Sequence, residues 1–174
     1  SDIPLTTIGI TMKVNQIVSA VIIGLSTGAQ PIFGYNYGCG QKDRVKQTYR
    51  IILSVATVFL ILAFCIFQFM PMSIVKLFGS ESDLYNEFAV KCFKIFLLAC
   101  PINGLQMVTG IFFQAIGKPA QATILSLTRQ IIYLLPATIL LPTILGVEGA
   151  LWAGPVADGL AFITALIMLK IYWK

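Results

Sequence analysis

Residues 30–44 read QPIFGYNYGCGQKDR, a polar, glycine-rich interruption in a chain that is apolar on both sides of it. Three glycines, two tyrosines and an asparagine crowd together, then Lys42, Asp43 and Arg44 follow. Upstream and into this stretch, no charge occurs from residue 14 to 41. Downstream, none occurs from 51 to 75 or from 95 to 117. Each run exceeds the ~20 residues that carry a helix across a bilayer. Two further runs, 120–141 and 149–169, carry one charge each, Arg129 and Asp158.

Composition gives the same class. Of 174 residues, 57% are hydrophobic and only 11% are charged, with a mean hydropathy of +0.88. A soluble domain carries about 25% charged residues, so this chain lacks the polar surface to cover itself in water. None of the runs fits a secretory signal, whose apolar region is about 7–15 residues long. The sequence predicts an all-α integral membrane protein with five transmembrane helices at 7–33, 45–70, 85–114, 120–141 and 147–170.

The breaks between them have local causes. In residues 30–42, Gly34, Gly38 and Gly40 supply tight backbone turns that other residues resist, with Tyr35 and Tyr37 as interfacial anchors. Between the second and third helices, Gly79 is a stop, and Ser80 with Asp83 fits a capping box. Pro119 suits the first turn of a helix and breaks the third span from the fourth.

Charge orients the bundle. With the opening loop cytoplasmic, that side holds Lys42, Arg44, Lys46, Arg50, Lys118, Arg129, Lys170 and Lys174. The other side has Lys13, Lys76, Lys91 and Lys94, mixed with Asp2, Glu81, Asp83, Glu87 and Glu148. That asymmetry is the positive-inside bias, so the net charge of +5 is a topology signal. No dense basic run with interleaved aromatics lies outside the spans, which sets nucleic acid aside. An odd number of spans beginning at Ser1, outside, predicts a fragment with sequence missing upstream.

Polar residues inside a bilayer need a partner or a cavity. At about 100° per residue, Asn103, Gln106, Gly110, Gln114 and Gly117 fall within roughly an 80° sector of the third helix. Thr11, Asn15, Ser19, Ser26 and Gln30 make a similar stripe on the first. Two such stripes can line one cavity, with Met107 and Phe112 as apolar walls, suited to large lipophilic cations that adaptable apolar contacts tolerate. The same residue types also glue helices together. Asp158, just after the helix-bending Pro155, is either a proton carrier or half of a structural pair with Arg129. For Arg129 itself, snorkelling toward the cytoplasm is the favoured reading.

Enzyme chemistry finds no support. The chain has no histidine, the commonest general base and metal ligand, and shows no nucleophile elbow or Walker loop. Cys39, Cys65, Cys92 and Cys100 show no CxxC pairing and read as small apolar fillers. Neither a metal nor a cofactor is expected.

Residues 24–45, GLSTGAQPIFGYNYGCGQKDRV, closely resemble a signature of the multidrug and toxic compound extrusion (MATE) family. There a helix ends in Gln-Pro, and a Gly-Tyr-Asn-x-Gly loop and a basic residue follow. Here these are Gln30, Pro31, Gly34, Tyr35, Asn36, Gly38 and Lys42. Residues 112–122 (FFQAIGKPAQA), 127–136 (LTRQIIYLLP) and 146–158 (GVEGALWAGPVAD) resemble the family's later helices.

The resemblance implies a twelve-helix protein of two six-helix lobes, of which this chain is the C-terminal lobe without its first helix. It further implies multidrug efflux across the cell membrane, in exchange for protons or sodium, by alternating access. The partners are then membrane lipid, small-molecule drugs, the coupling ion and the missing N-terminal lobe. In the family the third helix faces the central cavity. Some members carry an acid there as part of a sodium site, and this chain offers only Asn103, Gln106 and Gln114. Alternatives are a flippase for lipid-linked sugars or a non-transporting membrane assembly subunit.

Overall fold

The computed structural model describes residues 2–79 and 82–174. Ser80 of the expected capping box lies outside them. The described residues are almost entirely helical, without a strand.

The first span runs from α1 (Ile3–Gly28) into α2 (Gln30–Gly38). Pro31 has no N–H to return to the Thr27 carbonyl, and the ladder loosens at Ala29, whose N–H reaches both Leu25 and Ser26 carbonyls. Residues 30–38, expected as a turn, are therefore a short continuing helix. The turn itself is confined to Gly40, the residue of this stretch with positive φ (70°). Asn36 is buried and its amide donates to the Ile32 carbonyl at 2.8 Å, inside α2. At Gly34 a Cβ would come into ordinary contact, 3.4 Å from the Ala115 carbonyl oxygen. Gly38 has open space around it.

α3 (Lys42–Phe69) is the one unbroken apolar span of the first half. It is followed by α4 (Pro71–Phe78), a short helix that the sequence reading did not separate. The third span, expected as one helix over 85–114, is broken. α5 (Asp83–Phe96) and α6 (Cys100–Ala115) meet at a 49° bend. Pro101 is the cause, since it cannot donate to Leu97 and disfavours helix at Cys100 before it. The N-cap of α5 is Ser82, whose hydroxyl accepts from the Tyr85 N–H at 3.2 Å.

The fourth span starts as α7 (Pro119–Leu127), passes through a π-helical segment (Thr128–Leu134), and ends as α8 (Leu135–Leu145). Pro136 would clash with the Ile132 carbonyl in a regular helix. Widening the preceding turn relieves it, and the Leu135 N–H reaches back to Gln130. α9 (Val147–Tyr172) continues through Pro155 as the last span. Four helical stretches are long and apolar enough to cross a membrane, and the bent α5–α6 pair makes a fifth.

α6 lies at the centre, against α1, α2, α3, α7 and α9. Small residues let the helices approach closely. A Cβ on Gly149 would lie 2.2 Å from the Leu141 carbonyl oxygen, so α8 and α9 touch backbone to backbone. Toward the lysine-rich end the core is aromatic. The Phe112 ring centroid lies 5.2 Å from Phe33, 5.1 Å from Tyr49, 5.7 Å from Tyr172 and 5.9 Å from Trp173. Phe112, expected as a cavity wall, is instead fully buried among these rings. Large apolar side chains such as Ile17, Val58, Ile132 and Ile163 point outward, as a lipid-facing surface requires. Cys92 and Cys100 are buried fillers, while Cys39 is exposed.

Candidate functional site: a polar groove between α1, α6 and the fourth span

Three adjoining cavities run along the bundle between α1, α6 and the fourth span. The one farthest from the lysine-rich end has a volume of about 410 Å³ and is bounded by Asn15, Asn103, Arg129, Gln130 and Asp158, with apolar walls from Met12, Phe96 and Leu134. The middle one, about 230 Å³, shares Asn15, Asn103, Arg129 and Gln130 and adds Ser19, Gln106, Met107 and Ser126. The third, about 360 Å³, shares Gln106, Met107 and Ser126 and continues past Gly110 and Gln114 to Thr27 and Gln30. Shared walls make them one groove.

The two stripes read from helical spacing converge here: Asn15, Ser19 and Gln30 from the first span, Asn103, Gln106, Met107, Gly110 and Gln114 from α6. Among the described residues none of the amide side chains of Asn15, Asn103, Gln106 and Gln114 has a hydrogen-bond partner in the protein. Two other stripe members are not in the groove. Thr11 and Ser26 are fully buried, and their hydroxyls donate to the Thr7 and Ile22 carbonyls at 2.9 and 2.8 Å. Gly117 ends α6 in a left-handed conformation (φ 76°) and is likewise outside the groove.

At the far end sits an ion pair. The Arg129 guanidinium donates to Asp158 Oδ1 through Nε at 2.9 Å and Nη2 at 2.6 Å. Both side chains are largely shielded, at 18% and 11% exposure. Arg129 thus does not snorkel; its charge is met inside the bundle. Arg129 and Tyr133 both sit on the π-helical segment and both reach α9. The Tyr133 hydroxyl is 2.6 Å from that of Thr164, so two polar contacts tie this turn to α9.

Sequence reasoning missed Ser126 and Gln130 as groove residues. Their signal was present, a polar i, i+3, i+4 run of Ser126, Arg129 and Gln130 on one helix face. No group of three or more His, Cys, Asp or Glu suited to a metal occurs among the described residues.

A multi-pass α-helical bundle with a polar groove between its helices has the build of part of a membrane transporter lobe. The chain belongs to the MatE family: the MatE family model matches residues 1–139. Among curated relatives, the Multidrug export protein MepA of Staphylococcus aureus (strain MSSA476) is 24% identical over 94% of this chain. The MepA of Staphylococcus haemolyticus (strain JCSC1435) is 26% identical over the same share. In each case the chain spans 36% of the relative's length. The MATE multidrug transporter DinF-BH, solved in complex with a ligand, is 36% identical with a TM-score of 0.84 over 93% of this chain and 36% of its own. An outward-facing MATE family transporter shares the fold at 16% identity, with a TM-score of 0.87 over 98% of this chain and 38% of its own. These relatives are transporters, and the chain is a multi-pass, all-α membrane bundle of the same family.

Proposed function

We propose that this chain is the C-terminal lobe, without its first helix, of a secondary-active multidrug exporter in the cell membrane, and that its groove forms one wall of the drug pathway. The observation that carries the reading is the row of unpartnered amides along α6 and α1. Gln106 is buried, Asn15 and Asn103 are half-buried and Gln114 is open to the groove, and an amide that bonds to nothing is costly in an apolar medium. Such groups persist where water or cargo meets them. Met107, Ile23 and Met12 beside them supply adaptable apolar contact. That mixture suits lipophilic, often cationic compounds of varied shape.

Coupling to protons is the reading we prefer over sodium. Among the described residues of the groove Asp158 is the one acid, and it is already held by Arg129. The groove face of α6 offers no acid for a sodium site. The pair is then chiefly structural, and the coupling acid lies in the other lobe. Pairing also weighs against a flippase for lipid-linked sugars. Such a pathway needs free cations for pyrophosphate, and Arg129, the one cation among the described groove residues, is matched.

The test is efflux of a cationic dye from cells expressing the complete protein, with and without a proton ionophore, in sodium-containing and sodium-free medium. Export that collapses with ionophore and persists without sodium is expected. A strict sodium requirement overturns the proton reading. Absence of export by a well-folded protein overturns the exporter reading altogether.

A further inference from the structure

Away from the groove, at the lysine-rich end, lies another cavity of about 570 Å³, bounded by Lys42, Lys118 and Lys174 with Tyr37, Tyr172 and Trp173. We infer that this cavity holds the phosphate headgroup of an anionic glycerophospholipid, seated between α3, the start of the fourth span and the end of α9. The inference rests on the chain's membrane placement and not on drug export.

Four independent features meet there. The first is charge without neutralisation. Three lysines line the cavity and no acid does, and the two ion pairs of the described residues, Lys91–Glu148 and Arg129–Asp158, lie elsewhere. Lys46 adds a further ammonium, 5.6 Å from the Trp173 ring centroid. Second, two helices begin at the cavity. α3 starts at Lys42 and α7 at Pro119 behind Lys118, and neither N-cap has a capping side chain. At α7 the first-turn N–H groups beyond Pro119, which has none, and the positive dipole end favour an anion. The first turn of α3 already carries Asp43, and its Lys42 N–H donates to the Gly40 carbonyl.

Third, the rim is aromatic. Tyr and Trp rings settle at the depth of lipid headgroups, and here the Lys118 ammonium lies 4.8 Å from the Tyr172 ring centroid. Fourth, the cavity does not end in water alone. Met168 and Ile171 continue its wall, and the outward face of α9 goes on through Ile167 and Ile163, both more than half exposed. A soluble phosphate has no use for that tract, whereas an acyl chain covers it. Basic pockets between spans are the usual means by which membrane proteins hold acidic headgroups.

The test is native mass spectrometry of the complete protein in detergent, titrated with phosphatidylglycerol or with phosphatidylcholine of identical acyl chains. Phosphatidylglycerol is expected to be retained preferentially. In Lys42→Gln and Lys118→Gln its retention falls about fivefold per lysine, the contribution of one basic residue at an anionic surface. Lys42→Arg and Lys118→Arg keep the charge and keep the lipid. A monodisperse elution profile and an unchanged melting temperature show that each variant is folded.

Equal retention of the two lipids overturns the inference, as does undiminished phosphatidylglycerol in the folded glutamine variants. Competition separates the sources of phosphate. If glycerol 3-phosphate or inorganic phosphate binds as tightly as the intact lipid, the site takes a soluble anion, and the lipid assignment fails. Because the readout is bound lipid, a protein that exports nothing still passes or fails this test.

Discussion

The two faces of α6 have opposite surroundings. On one, Val108 and Phe112 are fully buried, and the Phe112 ring lies 5.1–5.9 Å from rings on α2, α3 and the end of α9. The one polar group in that direction, the Thr109 hydroxyl, is answered by the Tyr49 hydroxyl at 2.8 Å. On the other face Asn103, Gln106 and Gln114 project into the groove with no partner in the protein. Both faces are inside the same span, so depth in the bilayer does not explain the contrast. Packing density does: rings fill one side completely, and the other is left as cavity. The first face holds the helices together. The second is available to whatever occupies the groove.

The sharpest way to break the comparison is to empty the filled face. Phe112→Ala removes the ring that Phe33, Tyr49, Tyr172 and Trp173 surround, and a large buried aromatic truncated to Ala costs about 3–5 kcal/mol. A marked drop in melting temperature of the purified complete protein is expected, with loss of membrane abundance. A melting temperature near that of the wild type means that the aromatic end is not what joins α2, α3, α6 and α9.

The Arg129–Asp158 pair tests the groove's far end. Asp158→Leu leaves a shielded guanidinium unmatched, and breaking one partner of a buried pair costs about 3–5 kcal/mol. Replacing both, Arg129→Leu with Asp158→Leu, removes the unmatched charge and is expected to recover most of that stability. A structural pair then gives a double variant that still exports dye. A double variant that is stable yet inactive assigns the carboxylate a role in coupling after all.

The open face has its own test, with a smaller effect. Gln106→Leu deletes a buried amide that bonds to no protein group, so the melting temperature is expected to hold or rise slightly. Dye export falls about two- to tenfold if the amide contributes one hydrogen bond to cargo, worth about 0.5–1.5 kcal/mol. A large loss of stability with unchanged transport reverses the assignment, making Gln106 part of the packing.

Much of this was legible in the sequence, and what was not has identifiable causes. Uncharged runs located the spans because hydrocarbon tolerates little else. Helical spacing placed Asn15, Ser19, Asn103, Gln106 and Gln114 on converging faces. It also placed Thr11 and Ser26 there, yet hydroxyls can bond to their own helix one turn back, and periodicity is blind to that choice. The bend at Pro101 and the π turn before Pro136 had visible prolines inside apolar runs. Length alone made those runs look continuous. Arg129 with Asp158 was legible as one of two readings of that acid, and the structure forms the pair; spacing alone does not say whether the two helix faces meet.

Two glycines that look alike in the sequence are expected to respond differently. Gly38 and Gly40 both sit in the motif before α3, and both invite the same argument about flexible turns. Their backbones differ. Gly40 has φ 70°, while Gly38 closes α2 with an ordinary negative φ and nothing within 4 Å of where a Cβ would stand. Gly40→Val forces a β-branched residue into the left-handed region, at a cost of about 1–2 kcal/mol. This variant is expected to lower the melting temperature and to perturb the α2–α3 corner. Gly38→Val meets no backbone strain and its Cβ enters open space, so stability and dye export at equal membrane abundance are expected to stay close to wild type. Should Gly38→Val alone abolish export, the motif must serve movement of the corner, because the resting backbone there is unstrained and the Cβ position is open.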